Sequence, residues 1–129
     1  MIESVAVVMT QNNQVLIVKK DPDHKLAGLW EFPGGKLEAG ESLEACIKRE
    51  MQEELAVDVE MKELLVTYFY PLPRNTLKIN AYFANPLSDQ MTLMEHIDLR
   101  WVEIEALRAY DFVPSDLPVV EALEKWTKK

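Results

Sequence analysis

Gly35-Lys-Leu-Glu-Ala-Gly-Glu41-Ser-Leu-Glu-Ala-Cys-Ile-Lys-Arg49-Glu50-Met51-Gln-Glu53-Glu54-Leu-Ala56-Val57 carries the strongest structural signal in this 129-residue chain. Ser42 is suited to cap a helix, and Glu44 then falls in the first turn, where the helix dipole favours an anion. Residues 43 to 55 contain neither glycine nor proline, so the segment predicts a helix. At about 100° per residue, Leu43, Cys46, Ile47 and Met51 form one apolar stripe, with Glu44, Lys48 and Gln52 opposite. Glu50 and Glu54 break the amphipathic rule, because they project into that stripe, with Glu53 at its edge. Their i, i+3, i+4 spacing predicts three carboxylates on one patch. Such groups repel one another and resist desolvation unless a cation sits among them. All-oxygen ligands suit a hard ion, Mg²⁺ or Mn²⁺. The competing explanation is a solvated, charged helix end. Arg49 is placed to orient a glutamate through an ion pair.

On either side of this helix the pattern changes to strands. Ile2 to Thr10 is apolar and β-branched, and Val15 to Val18 follows across the polar turn Gln11–Gln14, which predicts a hairpin. Residues 21 to 41 look irregular and hold all four glycines, Gly28, Gly34, Gly35 and Gly40. Glycine confined to one segment predicts tight turns or a close backbone approach there. Leu64 to Tyr70 and Thr76 to Asn85 predict two strands joined by the turn Pro71–Asn75. Leu99 to Val102 predicts a short strand, and Pro118 to Trp126 a last helix with Val119, Val120, Leu123 and Trp126 inward. Strands before and after a central helix predict a mixed α/β class. Tyr68, Phe69 and Tyr82 are expected to pack on the sheet. His24 and His96 lack metal-ligand spacing and are expected at the surface.

Composition narrows the function. The chain weighs 14.9 kDa, with 48% apolar and 28% charged residues, which fits one globular domain over residues 1–129. Fourteen Lys and Arg against 22 Asp and Glu give a net charge of -8, which argues against binding a nucleic-acid polymer. A free nucleotide would also be repelled unless a metal ion or a local cationic site intervened. The lone Cys46 excludes an intrachain disulfide, and no apolar run approaches a membrane span. Met1-Ile2-Glu3-Ser4 has no basic start, so no signal peptide and a cytoplasmic location are expected.

Residues 35 to 57 resemble the Nudix box, Gly-x5-Glu-x7-Arg-Glu-U-x-Glu-Glu-x-Gly-U, where U is aliphatic. Every position matches except the late glycine, which is Ala56. The resemblance implies the Nudix fold, an α/β/α sandwich around a mixed sheet, with this helix and its preceding loop as the catalytic element. That glycine commonly ends the helix in a left-handed conformation, so Ala56 should cost about 1 kcal/mol if the geometry is kept. Trp30-Glu31-Phe32-Pro33-Gly34-Gly35-Lys36 is similar to the corresponding loop of the MutT-like branch. Glu95, six residues before Trp101, resembles an additional metal-binding glutamate of that branch. Val113-Pro114-Ser115-Asp116-Leu117-Pro118 resembles a loop with which such enzymes contact the base.

The resemblance implies hydrolysis of a nucleoside triphosphate to monophosphate and pyrophosphate, dependent on Mg²⁺ or Mn²⁺. It implies Glu50, Glu53 and Glu54 as metal-binding and catalytic residues, with Gly34 offering a carbonyl ligand and Glu95 a further carboxylate. Glu53 is a ligand or the base, and Glu95 is a second candidate base. Arg49 orients the glutamates, and Glu41 supports the loop and helix start. Lys20 stands where the branch has an arginine near substrate, so only a simple cationic role transfers. Its alternative is a solvated strand-end lysine. Phe32 lines the base pocket or belongs to the core. Asp116 caps the last helix or contacts the base; MutT itself has asparagine there, whereas a cytidine-triphosphate-hydrolysing relative has aspartate. A carboxylate suits the amino group of cytosine or the N1–H and amino edge of guanine. The expected substrate is thus an oxidised nucleotide such as 8-oxo-dGTP. The alternatives are CTP, dCTP or a modified cytidine nucleotide, another X-linked nucleoside diphosphate, or a non-catalytic nucleotide-binding domain. The expected form is a monomer, without membrane or nucleic-acid partners.

Overall fold

The computed structural model describes residues 1–21, 23 and 25–127, so His24 lies outside the described residues. Strand β1 (Ile2–Gln11) explains the architecture. Its side chains alternate between faces, yet Val5, Val7 and Met9 are buried on one and Ala6 and Val8 on the other. A strand that is apolar throughout is covered on both faces. β1 pairs in parallel with β6 (Asn75–Pro86), from Ile2 opposite Leu77 to Met9 opposite Ala84. The remaining strand pairs are antiparallel. They join β2 (Gln14–Lys19), β3 (Trp30–Glu31), β4 (Gly34–Lys36), β5 (Val59–Leu72) and β7 (Asp98–Glu103) into a mixed seven-stranded sheet with the path β3-β2-β1-β6-β5.

Helix α1 (Leu43–Leu55) covers one face through Cys46, Ile47, Met51 and Leu55, packed with Val5, Val7, Leu16 and Val18. Helix α2 (Leu117–Thr127) covers the other through Val119, Val120 and Leu123, packed with Val8, Ile17, Phe83 and Leu107. The result is the α/β/α sandwich. Among the described residues no helix is long and apolar enough to cross a membrane.

The local signals explain most boundaries. Ser42 Oγ accepts from Ala45 N–H and starts α1. Ala56 ends it at φ 52°, ψ 42°, with its N–H on Gln52 O. Asn12 and Asn13 take positive φ and close a two-residue turn between β1 and β2. Other boundaries differ from expectation. The hairpin is confined to Thr10–Val15 and Gln11–Gln14, because β1 spends its other edge bonds on β4. The segment read as irregular contains β3 and β4. β5 starts five residues before Leu64, with register shifts between Met61 and Val66, where Glu63 and the run Leu64-Leu65-Val66 break the apolar alternation. The β5–β6 ladder runs to Leu72 opposite Asn75, leaving only Pro73 and Arg74 in the turn. Phe69 is not packed on the sheet: it is 60% exposed, while its neighbours Tyr68 and Tyr70 face the core.

Candidate active site

Two chain crossings bring the site together. The strand β4 lies on β1 with Gly34 opposite Ala6 and Gly35 opposite Val5. Glycine is needed here for closeness: a Cβ on Gly35 would fall on the Glu50 carboxylate, and one on Gly34 would fall on the carbonyl of Val5. The middle of α1, at Glu50, therefore sits directly under the loop. On the other side, Trp30 N–H binds Asp111 O at 2.8 Å and Val113 N–H binds Trp30 O at 2.9 Å. These bonds draw residues 113–116 against the start of the glycine loop. Phe32 N–H then donates to Asp116 Oδ2 at 2.9 Å.

Between the crossings lies a cavity of about 560 Å³. Its polar, acidic lining comprises Glu31, Glu54, Glu95 and His96 with Gly34, and Lys20 is paired to Glu31. The rest of the lining includes the apolar side chains of Ala6, Leu26, Phe32, Leu77 and Ile79, with Asp116 held on the Phe32 N–H. Of the residues singled out in the sequence, Lys20, Phe32, Gly34, Glu54, Glu95 and Asp116 line this one space. Glu50 lies beneath Gly35, beside it. Glu53 does not join the patch that helix periodicity predicts. Its side chain is 46% exposed and held by Arg49 Nη1 at 2.8 Å, an i,i+4 ion pair that turns it along the helix. Arg49 also reaches Glu41 Oε2 at 2.7 Å, Glu50 Oε1 at 3.2 Å and Lys36 O at 3.0 Å. Its hydrogen bonds to Glu41, together with the Glu38 N–H, hold that carboxyl down to about 2.

The electrostatics of the acidic lining are lopsided. Glu54 is 3% exposed, and its nearest donor is Gly34 N–H at 3.4 Å. Burial, and then the charges of Glu50, Glu31 and Glu95, push its pKa up to about 9. Burial raises Glu50 as well, aided by Glu53 and Glu95 against the pull of Arg49. Among the described residues no three Asp, Glu, His or Cys side chains converge as a ready-made metal cage. Repulsion spreads the carboxylates, and Arg49 occupies two of them. The donor set nonetheless fits a hard divalent cation: crowded carboxylate oxygens, one almost fully buried, with no lysine or arginine paired to Glu54 among the described residues.

Asp116 does not act as a simple helix cap. Pro114–Asp116 forms a 3₁₀ turn leading into α2, and the carboxyl points back to Phe32 N–H. Burial, opposed by that hydrogen bond, raises Asp116 to about 7. Lys20 is not a solvated strand-end lysine: its ammonium pairs with Glu31 Oε2 at 3.1 Å. Phe32 serves both core and cavity, stacked on Phe112 with centroids 5.3 Å apart. His96 is a correction to the surface assignment. Its imidazole is buried, with Nε2 2.8 Å from Glu31 Oε2. Glu31 and His96 are the site residues that sequence reading missed. The one available signal was position, since Glu31 adjoins Phe32 and His96 adjoins Glu95.

A mixed sandwich whose central helix points buried glutamates into a cleft defines a class of cation-assisted hydrolases. Residues 2–123 match the NUDIX domain, and the chain belongs to the Nudix family, as a hydrolase of phosphoric anhydride bonds. Members of the family generally use divalent metal ions. The chain is 30% identical to the CTP pyrophosphohydrolase of Escherichia coli K12 over 122 residues, covering 95% of this chain and 90% of that one. It is 28% identical to the 8-oxo-dGTP diphosphatase of the same organism, covering 95% of each. The solution structure of the E. coli ORF135 protein superposes with a TM-score of 0.85 at 28% identity, covering 97% of this chain and 89% of that one. The crystal structure of MutT protein from Methanosarcina mazei Go1 gives 0.84 at 23% identity, covering 99% and 96%, a likeness of fold.

Proposed function

We propose that this protein is a metal-dependent (deoxy)nucleoside triphosphate diphosphatase that releases nucleoside monophosphate and pyrophosphate. Its proposed substrates are oxidised nucleotides such as 8-oxo-dGTP in the cytoplasmic pool, and residues 1–129 act as one domain and as a monomer. The observation that carries this is the single cavity that Glu54 and Glu95 share with Phe32 and Asp116. A polyphosphate held at the glutamates leaves its base to Asp116 and the apolar lining. The similarity to an 8-oxo-dGTP diphosphatase over 95% of the chain supports the same reading.

Glu50 and Glu54 are the principal residues to hold a Mg²⁺ or Mn²⁺ ion, with the Gly34 carbonyl and Glu95 completing the set. Bound there, a divalent ion supplies positive charge against the phosphates and lowers the pKa of water. Glu53 takes the role of ligand or general base. Arg49 fixes Glu50 and Glu53 relative to the glycine loop and so acts as a positioning residue. Lys20 faces the cavity with Glu31 and offsets phosphate charge. Phe32 gives the base an apolar wall. Asp116 spends one oxygen on Phe32 N–H and offers the other to the amino or imino edge of a base.

A second reading keeps the chemistry and changes the base. The Asp116 carboxyl also suits the cytosine amino group, and the similarity to a CTP pyrophosphohydrolase favours CTP or dCTP. A hydrolysis panel with Mg²⁺ decides between them, comparing kcat/KM for 8-oxo-dGTP, dGTP, CTP, dCTP, 5-hydroxy-dCTP, ADP-ribose and a dinucleoside polyphosphate. Preference for 8-oxo-dGTP with pyrophosphate as product is the expected result. Preference for cytidine triphosphates selects the second reading. Turnover of ADP-ribose or a dinucleotide alone overturns both.

A further inference from the structure

One buried side-chain atom has no hydrogen-bond partner among the described residues, His96 Nδ1. The imidazole is only 6% exposed. Its Nε2 lies 2.8 Å from Glu31 Oε2, an oxygen that also receives Lys20 at 3.1 Å. Glu31 thus acts as the acceptor, so a neutral His96 donates Nε2–H there and carries its lone pair on Nδ1. That lone pair faces Glu54 Oε1 at 3.9 Å. With Glu54 ionised, as a cation ligand must be, two acceptors face each other across this gap.

The separation discriminates between the ways of satisfying them. A direct hydrogen bond ends near ~3.2 Å. A bridging water, bonded at about 2.8 Å to each atom, would hold them about 4.5 Å apart. Two ligands on one metal ion, each about 2.1 Å from it, stand roughly 3–4 Å apart unless they lie opposite each other. The observed gap falls in the last range. The far side of the ring has the matching feature: a metal-bound imidazole usually donates its other N–H to a carboxylate, which fixes its tautomer. Glu31 does this for His96.

We propose that His96 Nδ1 is a metal ligand, forming with Glu54 a mixed nitrogen–oxygen pair that biases the site towards Mn²⁺ over Mg²⁺. This rests on the metal-dependent reading above and adds a nitrogen to an otherwise all-oxygen set. Mg²⁺ gains little from an imidazole, whereas first-row transition ions gain more.

The probe is Mn²⁺ on the full chain, read by pulsed EPR for ¹⁴N coupling at the bound ion. The sequence has two histidines, so His24→Gln leaves His96 as the sole imidazole. The expected result is a directly coordinated ¹⁴N in the wild type and in His24→Gln, and its loss in His96→Ala. Equilibrium dialysis should then show the Mn²⁺-over-Mg²⁺ preference falling about tenfold in His96→Ala. If His96→Ala does not fold, the His24→Gln spectrum still decides. Bound Mn²⁺ without nitrogen coupling overturns the ligand assignment and leaves the metal-dependent hydrolase reading intact. No Mn²⁺ binding at all overturns both.

Discussion

Asp116 illustrates how much one buried carboxyl can set. Its pKa rises from the usual 3.8 to about 7 chiefly because it is buried. The folded chain then holds a proton that the unfolded chain releases. Stability from this group is fully present below about pH 4 and is lost as pH rises through about 7. Asp116→Asn should remove that slope, raising stability at pH 8 relative to the wild type by on the order of 1–3 kcal/mol and little at pH 4. Urea unfolding of both proteins at the two pH values checks it. The same substitution exchanges an acceptor for an amide and should alter the ratio of kcat/KM between guanine and cytosine nucleotides. Glu54 tests the acidic lining. Glu54→Gln keeps the shape and removes the charge, so kcat should fall on the order of 10³-fold while nucleotide binding, measured calorimetrically, survives. In metal-free buffer at pH 7 the variant should melt at a higher temperature than the wild type, because folding no longer has to keep a buried carboxyl protonated well above its ordinary pKa. A lower melting temperature would show that the carboxylate is stabilising without metal.

At the level of elements, α1 was almost wholly legible. Ser42, the absence of Gly and Pro, and the apolar spacing placed it at Leu43–Leu55. Ala56 sits at its end at φ 52°, a conformation in which a Cβ is strained. Ala56→Gly should therefore stabilise the protein by about 1 kcal/mol with kcat unchanged, as read by chemical denaturation and steady-state kinetics. The strand β4 was not legible. Two of its three residues are glycines, and its pairing with β1 follows from tertiary approach rather than from strand propensity. Periodicity put Glu53 among its neighbours, yet it cannot anticipate that Arg49 draws that carboxylate away. The Glu31–His96 contact was hidden for a related reason: it spans 65 residues and leaves no local signature.

The whole molecule carries a net charge of -8 and gathers Glu31, Glu50, Glu54 and Glu95 around one cavity. A ligand that binds only the folded state stabilises it by mass action, by ~2.7 kcal/mol at a hundred times its dissociation constant. Saturating Mg²⁺ or Mn²⁺ should accordingly raise the melting temperature by several degrees, and a chelator should reverse the gain. Scanning calorimetry with and without the ion measures it. An equal ionic strength of NaCl should reproduce little of the shift, since screening does not fill a buried site.

The chain from Leu87 to Ile97 is stitched to the C-terminal end of α1. Thr92 N–H binds Leu55 O at 2.9 Å and Met94 N–H binds Glu54 O at 3.0 Å, while Ile97 N–H binds Lys19 O at 3.1 Å. Glu95 and His96 are thereby suspended between two anchors, a span with no slack. Length polymorphism in this connection is thus permitted only upstream of Thr92. An added residue near Ser88 or Asp89 should leave turnover intact, whereas one inserted between Met94 and Ile97 would put the bridge out of step with the helix and silence the enzyme without unfolding it.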